Sequence, residues 1–327
     1  MRRILWFRRD LRVEDNLLLS LGGEVLPIFI FDTHILDSLS NKDRRVPFIY
    51  NAIVKLKAEL LERGLDLALF YGKPTEVFEW LLTHTSFDEV CASGDYERYS
   101  RERDRDVSHL LPFKWIDDTY IFRPDEVLKS DGSPYLVFTP FYNRCKTLFT
   151  SKHLQCAPDA SHQKIAFGYD TIHIIEEKHH HTAPISLRSI GFEAGGTDDH
   201  LPLTPHEKLS VFSRKIGEYH HNRDFMAMDA SSHLSVDLRF GTLSIRSVLR
   251  WLSEQKRGGA DTEPFFRELI FREFYAMLLY HFPHLDHQNF RYPFHGIADD
   301  AKMERFCTAK TGVPIIDAGV RELLHTG

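Results

Sequence analysis

Three residues between positions 264 and 282 have types and spacing that could do chemistry together. In the stretch PFFRELIFREFYAMLLYHF, Glu268, Arg272 and Tyr275 recur at i, i+4 and i+7, which on an α-helix stacks them on one face. Phe265, Phe271 and Phe274 lie close by. Two readings are open. One is an amphipathic core helix whose wet side carries an i,i+4 Glu268–Arg272 pair, a contact worth about 0.2–0.5 kcal/mol. The other is a helix presenting a carboxylate, a guanidinium and aromatic faces to a cavity.

Further candidates lie upstream. Leu209, Phe212, Ile216, Tyr219 and Arg223 occupy a 3.6-residue stripe that starts aliphatic and ends in Tyr and Arg. Arg223 is read equally well as a cation at a helix C-terminus, where the dipole favours it. Ser231-Ser232-His233-Leu234-Ser235 is hydroxyl-rich, and hydroxyls with free backbone N–H groups can build a neutral phosphate cradle or an ordinary turn. Near the start, Arg8, Arg9, Asp10 and Arg12 follow the first apolar run, where a dinucleotide fold would carry glycines. Side chains of that bulk hold a pyrophosphate off the backbone, so a charged network is expected there rather than a conventional Rossmann site.

The elements that position these residues follow from periodicity. Ile4–Phe7, Val25–Phe31, Leu65–Tyr71, Phe87–Ala92 and Lys114–Ile121 read as buried strands. Amphipathic segments alternate with them, one with an apolar face of Phe48, Ala52, Ile53, Leu56, Leu60 and Leu61, another of Val77, Leu81 and Leu82. The alternation predicts a doubly wound α/β domain over 1–125 with a parallel five-stranded sheet. Residues 126–204 are expected to be an exit segment and long interdomain connector, with a helix over 140–149 and no periodicity after Ser151. His179-His180-His181 falls in it and reads as solvated loop, since no acidic or cysteine partners stand at ligand spacing. Residues 205–327 are expected to be all-α. Ser244 is placed as the N-cap of a helix from Ile245, and Pro264 in the first turn of the helix described above. An aromatic-rich loop is expected over His287–Asp299, a helix over Met303–Ala309, and a last helix from Pro314 towards Gly327, a residue suited to the C′ position.

Composition sets bounds. Forty-one basic against 47 acidic residues give a net charge of −6, so nucleic-acid binding would require a local basic patch. The four cysteines, Cys91, Cys145, Cys156 and Cys307, stand far apart with no CxxC spacing, which argues against a zinc site or disulfide framework and for a reducing, cytoplasmic setting. The apolar runs are too short to span a bilayer, and Arg8 and Arg9 interrupt any signal-peptide pattern.

Five stretches in order resemble the DNA photolyase and cryptochrome family: LWFRRDLRVEDN (5–16), YLVFTPF (135–141), SSHLSVDLRFGTLSIR (231–246), ELIFREFY (268–275) and KTGVPIIDAGVREL (310–323). The chain is most similar to a class I cyclobutane pyrimidine dimer photolyase. The resemblance implies an α/β domain able to carry an antenna chromophore of the folate or deazaflavin type, followed by a helical FAD-binding domain that is C-terminally incomplete. It implies that Tyr219, Ser231, Ser232, His233, Leu234, Ser235 and Arg272 bind FAD. It implies that Arg223, Glu268, Phe271 and Tyr275 face DNA, with Glu268 catalytic, no metal, and a monomer acting on DNA that contains pyrimidine dimers. Such enzymes flip their target out of the stack. Phe271 stands where repair members usually carry Trp, the 290–300 region lacks the tryptophan that commonly ends the family's electron-transfer chain, and the chain stops before the family's segment facing flavin N5. The alternatives are a cryptochrome-type flavin photoreceptor or a fragment unable to hold FAD.

Overall fold

The computed structural model describes residues 1–177, 179–193, 203–292 and 299–326. The five expected strands are present as β1 (Arg2–Phe7), β2 (Gly23–Asp32), β3 (Ala68–Gly72), β4 (Glu89–Ser93) and β5 (Phe113–Ile116). They pair in parallel in the order β5-β4-β1-β2-β3. Alternate residues of β1 serve opposite faces. Leu5 and Phe7 pack with Ile53, Leu56 and Leu60 of the helix Arg45–Glu62, whereas Ile4 and Trp6 pack with Val77, Phe78 and Leu81 of the helix Pro74–His84. A parallel sheet covered on both faces therefore reads as continuous apolar runs. Leu61 and Leu82, read above as parts of those helix faces, are exposed.

The two largest departures in strand ends have local reasons. β3 starts at Ala68 because Lys57 Nζ takes the Leu67 and Tyr169 carbonyls at 2.9 and 2.8 Å and pairs with Asp66, holding that stretch without sheet partners. β5 ends at Ile116 because the chain then turns to bury Asp118 against arginines.

The segment after Ser151 is not the structureless connector expected. It supplies three more strands, β6 (His162–Lys164), β7 (Thr171–Glu176) and β8 (His179–Pro184). β6 pairs with Gly23–Val25 and β3 with Ile28–Asp32, so Pro27, which has no N–H to donate, falls between the two ladders. β7 lies parallel to β3, and β8 closes the edge antiparallel to β7. The three histidines are thus strand residues: His180 Nε2 lies 3.1 Å from His173 Nδ1, and its ring lies 4.5 Å from that of Trp80. β6 is only three residues long and β8 is mostly polar, so neither reads as an apolar run, and the free edges of β2 and β3 receive β6 and β7. Among the described residues no group of three His, Cys, Asp or Glu could hold a metal.

From Pro205 on the structure is helical. The 209–223 stripe breaks into the helix Pro205–Ser213, a 3₁₀ turn Ile216–Glu218 and a short helix Tyr219–Asn222. Leu209, Phe212, Ile216 and Tyr219 still bury together, with Phe265 and Leu269 of the helix Glu263–His281. That helix also sends Ile270, Phe274 and Met277 into a second core with Phe141, Tyr142 and Cys145 of the helix Phe138–Leu148. Ser244 caps the helix Ile245–Arg257, accepting from Arg246 N at 3.1 Å. The helices Asp300–Cys307 and Pro314–Thr326 follow. The expected stop at Gly327, residues 194–202 of the connector and 293–298 of the aromatic-rich loop lie outside the described residues. Among the described residues no helix is long and apolar enough to cross a membrane, and all four cysteines are free.

A buried charge network joins the sheet to the helices. Arg8 pairs with Asp104, and Arg9 with Asp95 and Glu97 at 2.8 Å each. Arg12 pairs with Asp118, which also takes Arg246 Nη2 at 2.7 Å. Asp15 accepts from Arg246 at 3.0 Å, Arg250 at 2.8 Å, Ser244 Oγ at 2.9 Å and Ala157 N at 2.7 Å. Burial alone would raise its pKa, but the Ala157 N–H and the Arg246 charge hold it below the usual range. Beside the network, Gly241 (φ +66°) packs so closely that a Cβ there would lie 1.9 Å from the Arg9 carbonyl oxygen. Leu11 N donates to Phe240 O at 3.2 Å across the same contact.

Gly241→Ala is therefore expected to lower stability by roughly 3 kcal/mol or more, from left-handed strain plus overpacking. A Cβ at Gly259 (φ +91°) would have nothing within 4 Å, so Gly259→Ala should cost only about 1 kcal/mol of strain. Thermal or urea unfolding of the two variants checks the contrast.

Candidate functional site

The helix Glu263–His281 begins with Pro264 in its first turn and offers a half-buried strip between its two apolar faces. Glu268 does not pair with Arg272 four residues on. It receives the guanidinium of Arg223, whose Cζ also lies 5.7 Å from the Tyr219 ring centroid. Glu268 raises the Arg223 pKa and fixes it as a cation. Tyr219 is buried edge-on to Phe212 and Phe265 at 5.6 Å each, and that burial raises its hydroxyl pKa. Three expected residues from two segments thus form one chain of contacts.

Arg272 faces the next element. Its Nη2 donates to Leu238 O at 3.2 Å, its Cζ lies 4.4 Å from the Tyr120 ring centroid, and Nη1 lies 3.4 Å from Glu273. Leu238 belongs to the helix Ser235–Phe240, so Arg272 is tied to the helix that the serine segment opens. In that segment His233 has φ +54°, Ser231 Oγ lies 3.2 Å from His233 Nε2, and Ser232 Oγ accepts from Leu234 N at 3.4 Å. His233 Nε2 is 2.6 Å from Asp229, and Leu234 is buried. Ser231, His233 and Ser235 are exposed and Ser232 half-buried. Accessible neutral hydroxyls on a reversed backbone, with a guanidinium on the adjoining helix, are a donor set that fits a pyrophosphate.

Phe271 and Tyr275 sit further along. The Phe271 ring stacks on Phe138 with centroids 3.5 Å apart and planes 6° from parallel, and lies 6.4 Å from Tyr275, which is 64% exposed. One face of Phe271 is therefore already covered.

Two residues of this region were not found from sequence. Phe138 lies in a recognised stretch, but nothing local signals a contact across more than a hundred positions. Glu273 is 3% exposed and accepts from Ile121 N and Phe122 N at 2.8 and 3.1 Å. Burial pushes its pKa up to about 7, against the pull of Arg272 and those two N–H groups. It lines a small cavity of about 10 Å³ with Tyr96, Tyr120, Val127 and Met277.

Residues 3–159 match the family model for DNA photolyase, and residues 265–327 match the FAD binding domain of DNA photolyase. Tyr219 and the serine segment fall between the two. Over 99% of its length the chain is 30% identical to the deoxyribodipyrimidine photo-lyase of Salmonella typhimurium, covering 71% of that protein. It is 28% identical to that of Synechococcus over 99% of this chain and 70% of the relative. Among solved structures, a class III photolyase from Agrobacterium tumefaciens superposes with a TM-score of 0.80 at 25% identity, over 98% of this chain and 68% of the other. An archaeal photolyase from Sulfolobus tokodaii, described with two FAD molecules, gives 0.76 at 25% identity, over 99% and 70%. A Synechocystis cryptochrome shares the fold, with a TM-score of 0.73 at 17% identity over 100% and 72%. An α/β sheet followed by a helical FAD-binding region defines the class of flavoprotein to which these relatives belong. The chain belongs to the DNA photolyase and cryptochrome family, whose curated relatives matched here are lyases.

Glu273 makes a pH prediction. Its folded pKa of about 7 stands above the unfolded 4.5, so its contribution to stability is complete below pH 4.5 and is lost as pH rises through about 7. Glu273→Gln keeps an acceptor for the two N–H groups and removes the titration. Relative to the variant, the parent chain should lose up to about 3 kcal/mol between pH 4.5 and 8, measured by unfolding at several pH values.

Proposed function

We propose that this chain is a blue-light-driven DNA repair lyase that splits cyclobutane pyrimidine dimers flipped out of the duplex. The observation that carries the reading is the Tyr219–Arg223–Glu268 chain of contacts, whose Tyr219 shares a buried cluster with Leu234 of the serine segment. In these contacts a hydrogen-bonding carboxylate is fixed in orientation by a guanidinium. When bound, reduced FAD supplies the light-driven electron that opens the cyclobutane ring. The chain's own residues hold and orient. Ser231, Ser232 and Ser235 would donate to the phosphates, with His233 and Leu234 shaping the turn, while Arg272 would stand near the flavin and Tyr219 contact its nucleotide part. Glu268 would hydrogen-bond the dimer, and Tyr275 and the uncovered side of Phe271 would stack a base, an interaction worth roughly 1–3 kcal/mol. Arg223 orients Glu268 and borders the pocket. An antenna chromophore of folate or deazaflavin type belongs to the same reading.

A second reading, a cryptochrome-type photoreceptor, is favoured by one observation: the Phe138–Phe271 stack at 3.5 Å withholds a ring face from the lesion.

Under blue light, the flavin-loaded chain should convert thymine dimers in an oligonucleotide to monomers. Glu268→Gln should lower the rate about tenfold, the equivalent of about 1.4 kcal/mol. A normal flavin spectrum with no conversion of dimers overturns the repair reading in favour of the photoreceptor, and a chain that takes up no flavin overturns both.

A further inference from the structure

Arg267 has no role in anything above, yet its surroundings are unusual for a cation on a helix. Its Cζ lies 4.8 Å from the Phe138 ring centroid, 5.1 Å from Tyr142 and 5.9 Å from Phe271. It is half-buried and has no carboxylate partner among the described residues. Three neighbouring cations are neutralised. Arg223 is bound by Glu268 and lies 3.7 Å from Asp224, Arg272 lies 3.4 Å from Glu273, and Lys146 lies 3.2 Å from Glu263. Glu263 is the natural i−4 partner of Arg267 on the same helix, but it is held instead by Lys146 and the Tyr142 hydroxyl.

We propose that Arg267 is the cation that anchors a DNA phosphate beside the aromatic strip formed by Phe138, Phe271 and Tyr275. The inference rests on the reading that this face receives DNA. A guanidinium held on ring faces has little conformational freedom to lose, and its N–H donors can meet phosphate oxygens in pairs. An Arg already in a tight pair has no net charge to offer. Arg223, the residue that sequence alone would choose for this contact, therefore positions Glu268, while Arg267 carries the electrostatic attachment. The contact is to backbone and carries no base information, so it should act alike on damaged and intact DNA.

The test is the salt dependence of binding to two duplex oligonucleotides, one with a central thymine dimer and one intact. Neutralising one phosphate contributes a slope of about 0.9 in log affinity against log salt. Arg267→Gln should reduce the slope by about that amount on both duplexes, so that its affinity falls about threefold less than the parent's between about 50 and 200 mM salt. Arg267→Lys should keep the parent slope. A parent-like slope in Arg267→Gln overturns the assignment, as does a slope lost equally in the Lys variant, which would mean that packing rather than charge was removed. If the parent chain binds neither duplex in a salt-dependent way, it is the DNA reading of the whole face that fails, with this inference along with it.

Discussion

The rest of this molecule depends on how the arginines and aspartates gathered at the end of β1 are buried. Arg12, Arg246 and Arg250 converge on Asp15 and Asp118, both with nearly inaccessible side chains, while Arg8 and Arg9 extend the network to Asp104 and Asp95. Charges out of water are tolerated only when paired and hydrogen-bonded, and removal of one partner from such a pair costs about 3–5 kcal/mol. The network therefore admits one arrangement of the sheet against the helices. Gly241 enforces the same arrangement by sterics, since its Cα rests where no side chain fits.

That junction positions the helix Glu263–His281. One side of the helix packs on Leu209, Phe212 and Tyr219, the other on Phe141 and Tyr142. Only the strip between stays available for polar work, and it carries Glu268, Arg272 and Tyr275. Glu273, one step off the strip, faces inward and receives two backbone N–H groups from the segment after β5. The carboxylates at 268 and 273 thus serve different ends because the helix turns one outward and the other toward the sheet.

Much of the fold was legible in the sequence wherever burial is periodic. The five parallel strands, the Ser244 cap and the 209–219 stripe are cases in which one residue type after another meets the same environment. The reading missed strands in 151–204, where β6 has three residues, β8 is mostly polar, and the strands exist because β2 and β3 had unpaired edges. Of the two readings open for Glu268 and Arg272, the i,i+4 pair does not form: Glu268 meets Arg223, and Arg272 meets Leu238 and its own neighbour Glu273.

The amino-acid sequence by itself determined the alternation of elements, the family, and the residue types that line the site, because these follow from local periodicity and from motifs that survive in order. Only the tertiary structure decided which cation is neutralised and which is free. Ion pairing depends on the few ångströms between side chains brought together from distant positions, 45 residues apart for Arg223 and Glu268. The same holds for Phe271, whose ring type was evident but whose covered face depends on Phe138, delivered by a helix that meets it only after the two cores have closed.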